Sequence, residues 1–202
     1  LYDKCQWGPS KKAEREEFLK QLRGKICYGG VDLSTSRDMT AFVLLFPPQP
    51  GLDTAVLLPT IWRPGGTVLE AEKRDHVPYR DWARAGFLRL CDGDTIDYDD
   101  VENTIKEAAE IYDLKQVGFD PYLSRTITQR LTPHVNVIEI PQDLKNMSPA
   151  MKETDTLMAN HQLLHVHNTC FRWTFGNVRC YEDCNGNIRP QKHRSIGRID
   201  PT

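Results

Sequence analysis

No run in these 202 residues is long and apolar enough to cross a bilayer as a helix, which takes about 20 consecutive apolar residues. The opening Leu1-Tyr2-Asp3-Lys4 has neither the basic start nor the apolar stretch of a secretory leader. Nor is there an initiator methionine, and Asp200-Pro201-Thr202 is an abrupt end, so both termini read as cuts in a larger protein. A Gly-x-x-x-x-Gly-Lys-Ser/Thr loop is missing, because Gly65-Gly66-Thr67 is too short and has no lysine. That excludes an ATP-hydrolysing motor of the phosphate-loop type. Six cysteines are present but none pair as Cys-x-x-Cys. Cys170, Cys180 and Cys184 lie near His161, His165, His167 and His193, yet the one close pair flanks a hairpin turn; reduced thiols are the better reading than structural zinc. Internal repeats, low-complexity tracts and base-reading motifs such as zinc fingers or helix-turn-helix units are also absent.

What is present describes one globular domain of ordinary size with an adequate core, 39% hydrophobic and 27% charged. A net charge of −2 gives no global sign of a polyanionic partner, but the charge is uneven. Asp92, Asp94, Asp97, Asp99, Asp100 and Glu102 fall in one stretch without a base. Arg189, Lys192, Arg194 and Arg198 fall in another without an acid.

Apolar periodicity divides the chain into elements. Residues 11–23 read as a short helix ended by Gly24. Three strands follow, Ile26 to Leu33, Thr40 to Phe46 and Thr54 to Trp62, with links short enough for an antiparallel meander. Two short helices, Thr67 to Arg74 and Tyr79 to Ala85, lead to an extended piece at Leu88 to Cys91. A longer helix is expected over Asp97 to Tyr112, with its acids at the dipole-favoured end. Then a strand (Lys115 to Asp120), a helix (Tyr122 to Leu131), a strand (Val135 to Ile140) and a helix (Ser148 to His161) form a parallel, right-handed crossover. Asn168 caps a further helix, and a hairpin turns at Asn185-Gly186. The fold class is α/β: a five-stranded mixed sheet flanked by helices, plus a C-terminal β-hairpin.

Two acids stand in like places. Asp32 ends the run Cys27-Tyr28-Gly29-Gly30-Val31, and Asp120 ends Val117-Gly118-Phe119. A carboxylate closing a buried strand is costly unless neutralised. If the two strands are parallel neighbours, both carboxylates emerge at one sheet edge and repel unless they share a proton or a cation. Hard oxygen donors suit Mg²⁺ or Mn²⁺. The alternative is structural, since each Asp can also cap the turn that follows it.

The segment Gly30-Val31-Asp32-Leu33-Ser34 with Arg37-Asp38-Met39-Thr40-Ala41 resembles the first nuclease motif of tailed-bacteriophage terminase large subunits. Further segments are similar to that family in the same order: Val77-Pro78-Tyr79-Arg80-Asp81-Trp82, Thr95-Ile96-Asp97-Tyr98, Gly118-Phe119-Asp120-Pro121, Met147-Ser148-Pro149-Ala150, Arg172-Trp173 with Asn177, Asn185 to Pro190 with Lys192, and Arg198-Ile199-Asp200. The resemblance spans roughly Ile26 to the end. It implies an RNase H-like nuclease domain over 25–202 with strand order 3-2-1-4-5. Residues 1–24 would lead in from an N-terminal ATPase domain of the same protein.

It also implies an activity, metal-dependent endonucleolytic cutting of concatemeric double-stranded DNA by a two-metal route. Asp32, Asp120 and Asp200 would be the catalytic metal ligands for two divalent ions, Mg²⁺ or Mn²⁺, and Asp38 an accessory ligand. Arg189, Lys192, Arg194 and Arg198 would contact DNA phosphates, making binding salt-dependent. Implied partners are the small terminase subunit and the portal protein, met in the host cytoplasm at the procapsid, with no membrane involved. One departure is that Asn168 is followed by Thr169 where many relatives have proline, so His165 is given no catalytic role. Alternative readings are another RNase H-like nuclease, of the junction-resolvase or integrase type, or a non-catalytic module docking on DNA or portal.

Overall fold

The computed structural model describes residues 6–34, 38–121, 125–191 and 199. In chain order the elements are β1 (Gln6–Trp7), α1 (Lys12–Gln21), β2 (Ile26–Asp32), β3 (Thr40–Phe46), β4 (Ala55–Pro64), α2 (Val68–Asp75), α3 (Tyr79–Arg84) and β5 (Arg89–Cys91). They continue with α4 (Tyr98–Ile111), β6 (Asp113–Phe119), α5 (Arg125–Leu131), β7 (Val137–Glu139), α6 (Leu144–Ala159), β8 (Leu163–His165), α7 (Thr169–Asn177), β9 (Cys180–Glu182) and β10 (Ile188–Pro190).

Among the described residues the main sheet runs β1-β8-β4-β3-β2-β6-β7, with β5 also paired to β4. Its centre, β4-β3-β2-β6-β7, is the expected 3-2-1-4-5 order, antiparallel across β2, β3 and β4 and parallel across β2, β6 and β7. Two strands were not anticipated: β8 joins β4 in parallel, and β1 adds a two-residue edge to β8. Neither segment is long enough to show a period.

Strand alternation gives the central sheet two unlike faces. On one, Cys27 and Val31 of β2, Phe42, Leu44 and Phe46 of β3, and Val117 and Phe119 of β6 are buried against Val101, Ile105 and Ala108 of α4 and Ile127 and Leu131 of α5. On the other, α2, α3 and α7 cover only the β3–β4 side, where Met39, Ile61, Val68, Ala71, Tyr79, Cys170 and Phe171 cluster. The β2–β6 side of that face stays open, and Tyr28 and Leu45 are correspondingly exposed.

Side-chain caps set the helix starts. Asp97 accepts from the amides of Asp99 and Asp100 (3.0 and 3.2 Å), and Asn168 accepts from that of Phe171 (2.9 Å). Helix α6 begins at Leu144, earlier than the expected Ser148, because Asp143 accepts from the amide of Asn146 (2.8 Å). Pro149 therefore lies inside the helix instead of opening it. The hairpin turn is closed by the Gly186 amide donating to the Asp183 carbonyl (3.0 Å), with Gly186 at φ +73°. That left-handed backbone costs glycine little.

Candidate metal centre

Strands β2 and β6 are parallel neighbours with Val31 in register with Phe119, so the next residues along, Asp32 and Asp120, emerge side by side at one sheet edge. Backbones of adjacent strands lie about 4.8 Å apart. Both aspartates are half-buried, and both line a cavity of about 320 Å³ on the open face. Its floor is Gly30, Val43 and Gly118, and its walls are Leu57, Ile140, Gln142, Met147, Thr154, Phe171 and Phe175. Gly30 and Gly118 face each other across the strand pair; Ile140 packs over Gly118, while the space over Gly30 is open.

The chain leaving Asp32 is held tightly. The Ser34 amide donates to Thr40 Oγ1 (2.9 Å), its hydroxyl to the Asp38 carbonyl (2.9 Å), and its carbonyl accepts from the Tyr98 hydroxyl (2.8 Å). Burial pushes the Tyr98 phenol above its ordinary pKa, which keeps it a donor. These bonds tie Ser34, two residues beyond Asp32, to the start of β3 and to the first turn of α4.

Two oxygen-donor carboxylates from neighbouring, hydrogen-bonded strands fit a hard divalent cation. Among the described residues no third Asp, Glu, His or Cys joins them into a three-ligand group. Asp200, expected as the third carboxylate, lies outside the described residues.

Asp38 is half-buried just before β3 and is not among the residues lining the cavity; its charge helps raise the pKa of Arg74, a smaller effect than that cation's bond to Asp75. Of the basic strip, Arg189 is exposed on β10, while Lys192, Arg194 and Arg198 lie outside the described residues. His165 is fully buried beside Phe171, its Nδ1 3.1 Å from the Val166 carbonyl. That is a core position. The cavity walls from α6 and α7 were not foreseen. Phe171 and Phe175 are one helical turn apart and face the sheet, a spacing that sequence alone assigns to a core.

Behind the wall, Tyr79, Trp82 and Trp173 pack edge to face or tilted, and the Arg63 guanidinium lies 4.4 Å from the Tyr79 ring centroid. Among the described residues no helix is long and apolar enough to cross a membrane.

Comparison with known proteins gives a consistent result. Residues 16–202 match the family model described as terminase large subunit, endonuclease domain. The terminase large subunit of Enterobacteria phage HK97 is 31% identical over 176 residues, covering 86% of this chain and 34% of that protein. The crystal structure of the HK97 large terminase superposes with a TM-score of 0.79 at 28% identity, covering 92% of this chain and 40% of the other. The large terminase nuclease of thermophilic phage G20c, crystallised with bound magnesium, shares the fold, with a TM-score of 0.54 at 17% identity over 98% of this chain and 88% of that one. The chain thus spans about a third of the length of the HK97 subunit.

Proposed function

Because this chain belongs to the family of terminase large subunit endonuclease domains, we propose that it cuts double-stranded DNA at a divalent-metal centre built on Asp32 and Asp120. The observation that carries this reading is the pair itself, two carboxylates from parallel neighbouring strands at the edge of an open cleft. The magnesium held by the related G20c nuclease supports it.

In this reading Asp32, Asp120 and Asp200 would together hold two divalent ions, Mg²⁺ or Mn²⁺. When bound, such a pair of cations activates water, shields the phosphoryl oxygens and stabilises the leaving 3′ oxygen. The chain's own contribution is positional. β2 and β6 hold the two aspartates on neighbouring strands, the Ser34 contacts anchor the backbone two residues beyond Asp32, and the side-chain-free floor at Gly30 leaves room beside Asp32. Asp38 is an accessory ligand candidate. Arg189, Lys192, Arg194 and Arg198 steer and hold the phosphate backbone, so affinity falls as salt rises.

For the whole protein, the same reading places an ATPase domain before residues 1–24 and makes concatemeric DNA the substrate. The small terminase subunit and the portal are the assembly partners, and the work is done in the host cytoplasm at the procapsid.

A plasmid-cleavage assay with Mg²⁺, Mn²⁺ and EDTA tests the proposal. The chain is expected to nick and linearise plasmid with either metal and not with EDTA. Asp32→Asn and Asp120→Asn should each lower the rate at least about a hundredfold while leaving the melting temperature near that of the parent. Metal-dependent cutting retained by Asp32→Asn would refute the assignment.

A further inference from the structure

The β9–β10 hairpin carries an exposed aromatic–cation pair that the carboxylate centre does not use. Tyr181 and Arg189 are register partners, and the Arg189 guanidinium lies 5.9 Å from the Tyr181 ring centroid. Tyr181 keeps 37% of its surface exposed. Alternation sends their neighbours the other way: Ile188 and Pro190 are half-buried and line a second cavity, of about 460 Å³, against α6 and α7. The acids of the hairpin do not compete for the outward face. The Asp183 carboxylate accepts from the amides of Asn185 and Asn187 and from the Asn187 side chain, and Glu182 lies one residue from Tyr181 and so on the opposite side of the strand.

The hairpin is also placed beside the cleft. Its Ile188 amide donates to the buried Ser148 hydroxyl of α6 (3.1 Å). Met147, Thr154 and Phe175 line both the second cavity and the cavity below Asp32 and Asp120. The hairpin's cavity and the cleft thus share part of one wall.

We propose that Tyr181 and Arg189 form a platform for an unpaired base of the DNA flanking the cut, Tyr181 stacking on the base and Arg189 meeting the adjoining phosphate. Inside an intact duplex, away from its ends, both faces of every base are already stacked on neighbours, so a tyrosine ring gains there only from a base that has left the stack. This inference rests on the DNA-cutting reading above and adds a preference to it, for locally unpaired over fully paired DNA at the cleft margin.

The test is fluorescence anisotropy in EDTA, so that no cutting occurs, with the 202-residue chain and three labelled oligonucleotides: a single strand, a blunt duplex, and a duplex with one bulged base. Tyr181→Ala is expected to weaken binding to the single strand and the bulged duplex about tenfold, with the blunt duplex changed less than about twofold. Tyr181→Phe should bind like the parent, and both variants should keep its melting temperature, because the side chain is exposed. Arg189→Gln should weaken all three and flatten the salt dependence. An equal loss on all three oligonucleotides in Tyr181→Ala, or no loss on any, overturns the platform. If the parent chain cuts plasmid in Mn²⁺ while Tyr181→Ala binds normally, the platform alone falls. If the parent neither cuts plasmid nor binds any of the three DNAs, both readings fall.

Discussion

Gly29 and Gly30 are adjacent in β2 yet face opposite environments. A Cβ added at Gly29 would sit 2.7 Å from a Phe42 ring carbon and 3.3 Å from both Val117 methyls, in the dense core below the sheet. A Cβ added at Gly30 would meet nothing within 4 Å, because Gly30 faces the open cleft. Gly29→Ala is therefore expected to cost about 1–3 kcal/mol through overpacking. Gly30→Ala should be neutral or gain up to about 1 kcal/mol by restricting the unfolded chain. Urea denaturation of the two variants checks this, and equal losses in both would contradict the two-faced sheet. The same alternation explains why Asp32 is at the cleft: it lies two residues beyond Gly30, on the same side of β2.

At the scale of elements, α7 depends on one residue at its start. Asn168 accepts from the Phe171 amide and also donates through Nδ2 to the Phe87 carbonyl (2.9 Å), joining the helix to the segment before β5. Asn168→Ala removes both bonds and should lower stability by about 1–2 kcal/mol. Thermal melting would show it, and a variant as stable as the parent would mean that the cap is dispensable. Asn168 was legible as a cap in the sequence, as were the five central strands, because each has a run of apolar residues or a turn signal beside it; their order was implied by the family resemblance and not by periodicity. β1 and β8 were not: β8 follows the expected helix directly with no apolar run of its own like Val135 to Ile140 around β7, and the two-residue β1 exists only by pairing with β8. The placing of Asp32 beside Asp120 could be argued from two strand ends. The walls of their cleft could not, because which face of α6 and α7 meets the sheet is decided by tertiary packing. Expectations for Lys192, Arg194, Arg198 and Asp200 fall outside the described residues.

For the whole molecule, two histidines couple stability to pH. His165 is held below the ordinary histidine pKa, first by burial and then by the charges of His167 and Arg172, although its bond to the Val166 carbonyl opposes this. His167 is lowered as well, by burial, then by Arg15 and Arg172. Both stay neutral in the fold at a pH where the unfolded chain takes up protons. Their contribution is complete above the unfolded value of about 6.5 and is lost as pH falls through the lowered folded values. Denaturation midpoints should fall steadily as pH drops below about 6.5, and His167→Asn should make that slope shallower. A slope unchanged by His167→Asn would assign the effect elsewhere. The affected strand, β8, lies two places from β3 in the sheet, so mild acid is expected to loosen that margin before the β2–β6 centre.

The pairing of β2 with β6 also sets an order of events during synthesis. Asp32 meets Asp120 only after the intervening chain, 120 minus 32 or 88 residues, has left the ribosome. At translation rates of about 5–20 residues per second, the first aspartate waits roughly 4–18 s for its companion. Until then β2 can hold only its hairpin partner β3, and a chain halted before β6 has one carboxylate of the pair. An acid pair split this way between distant parts of the chain cannot form on a product halted before β6.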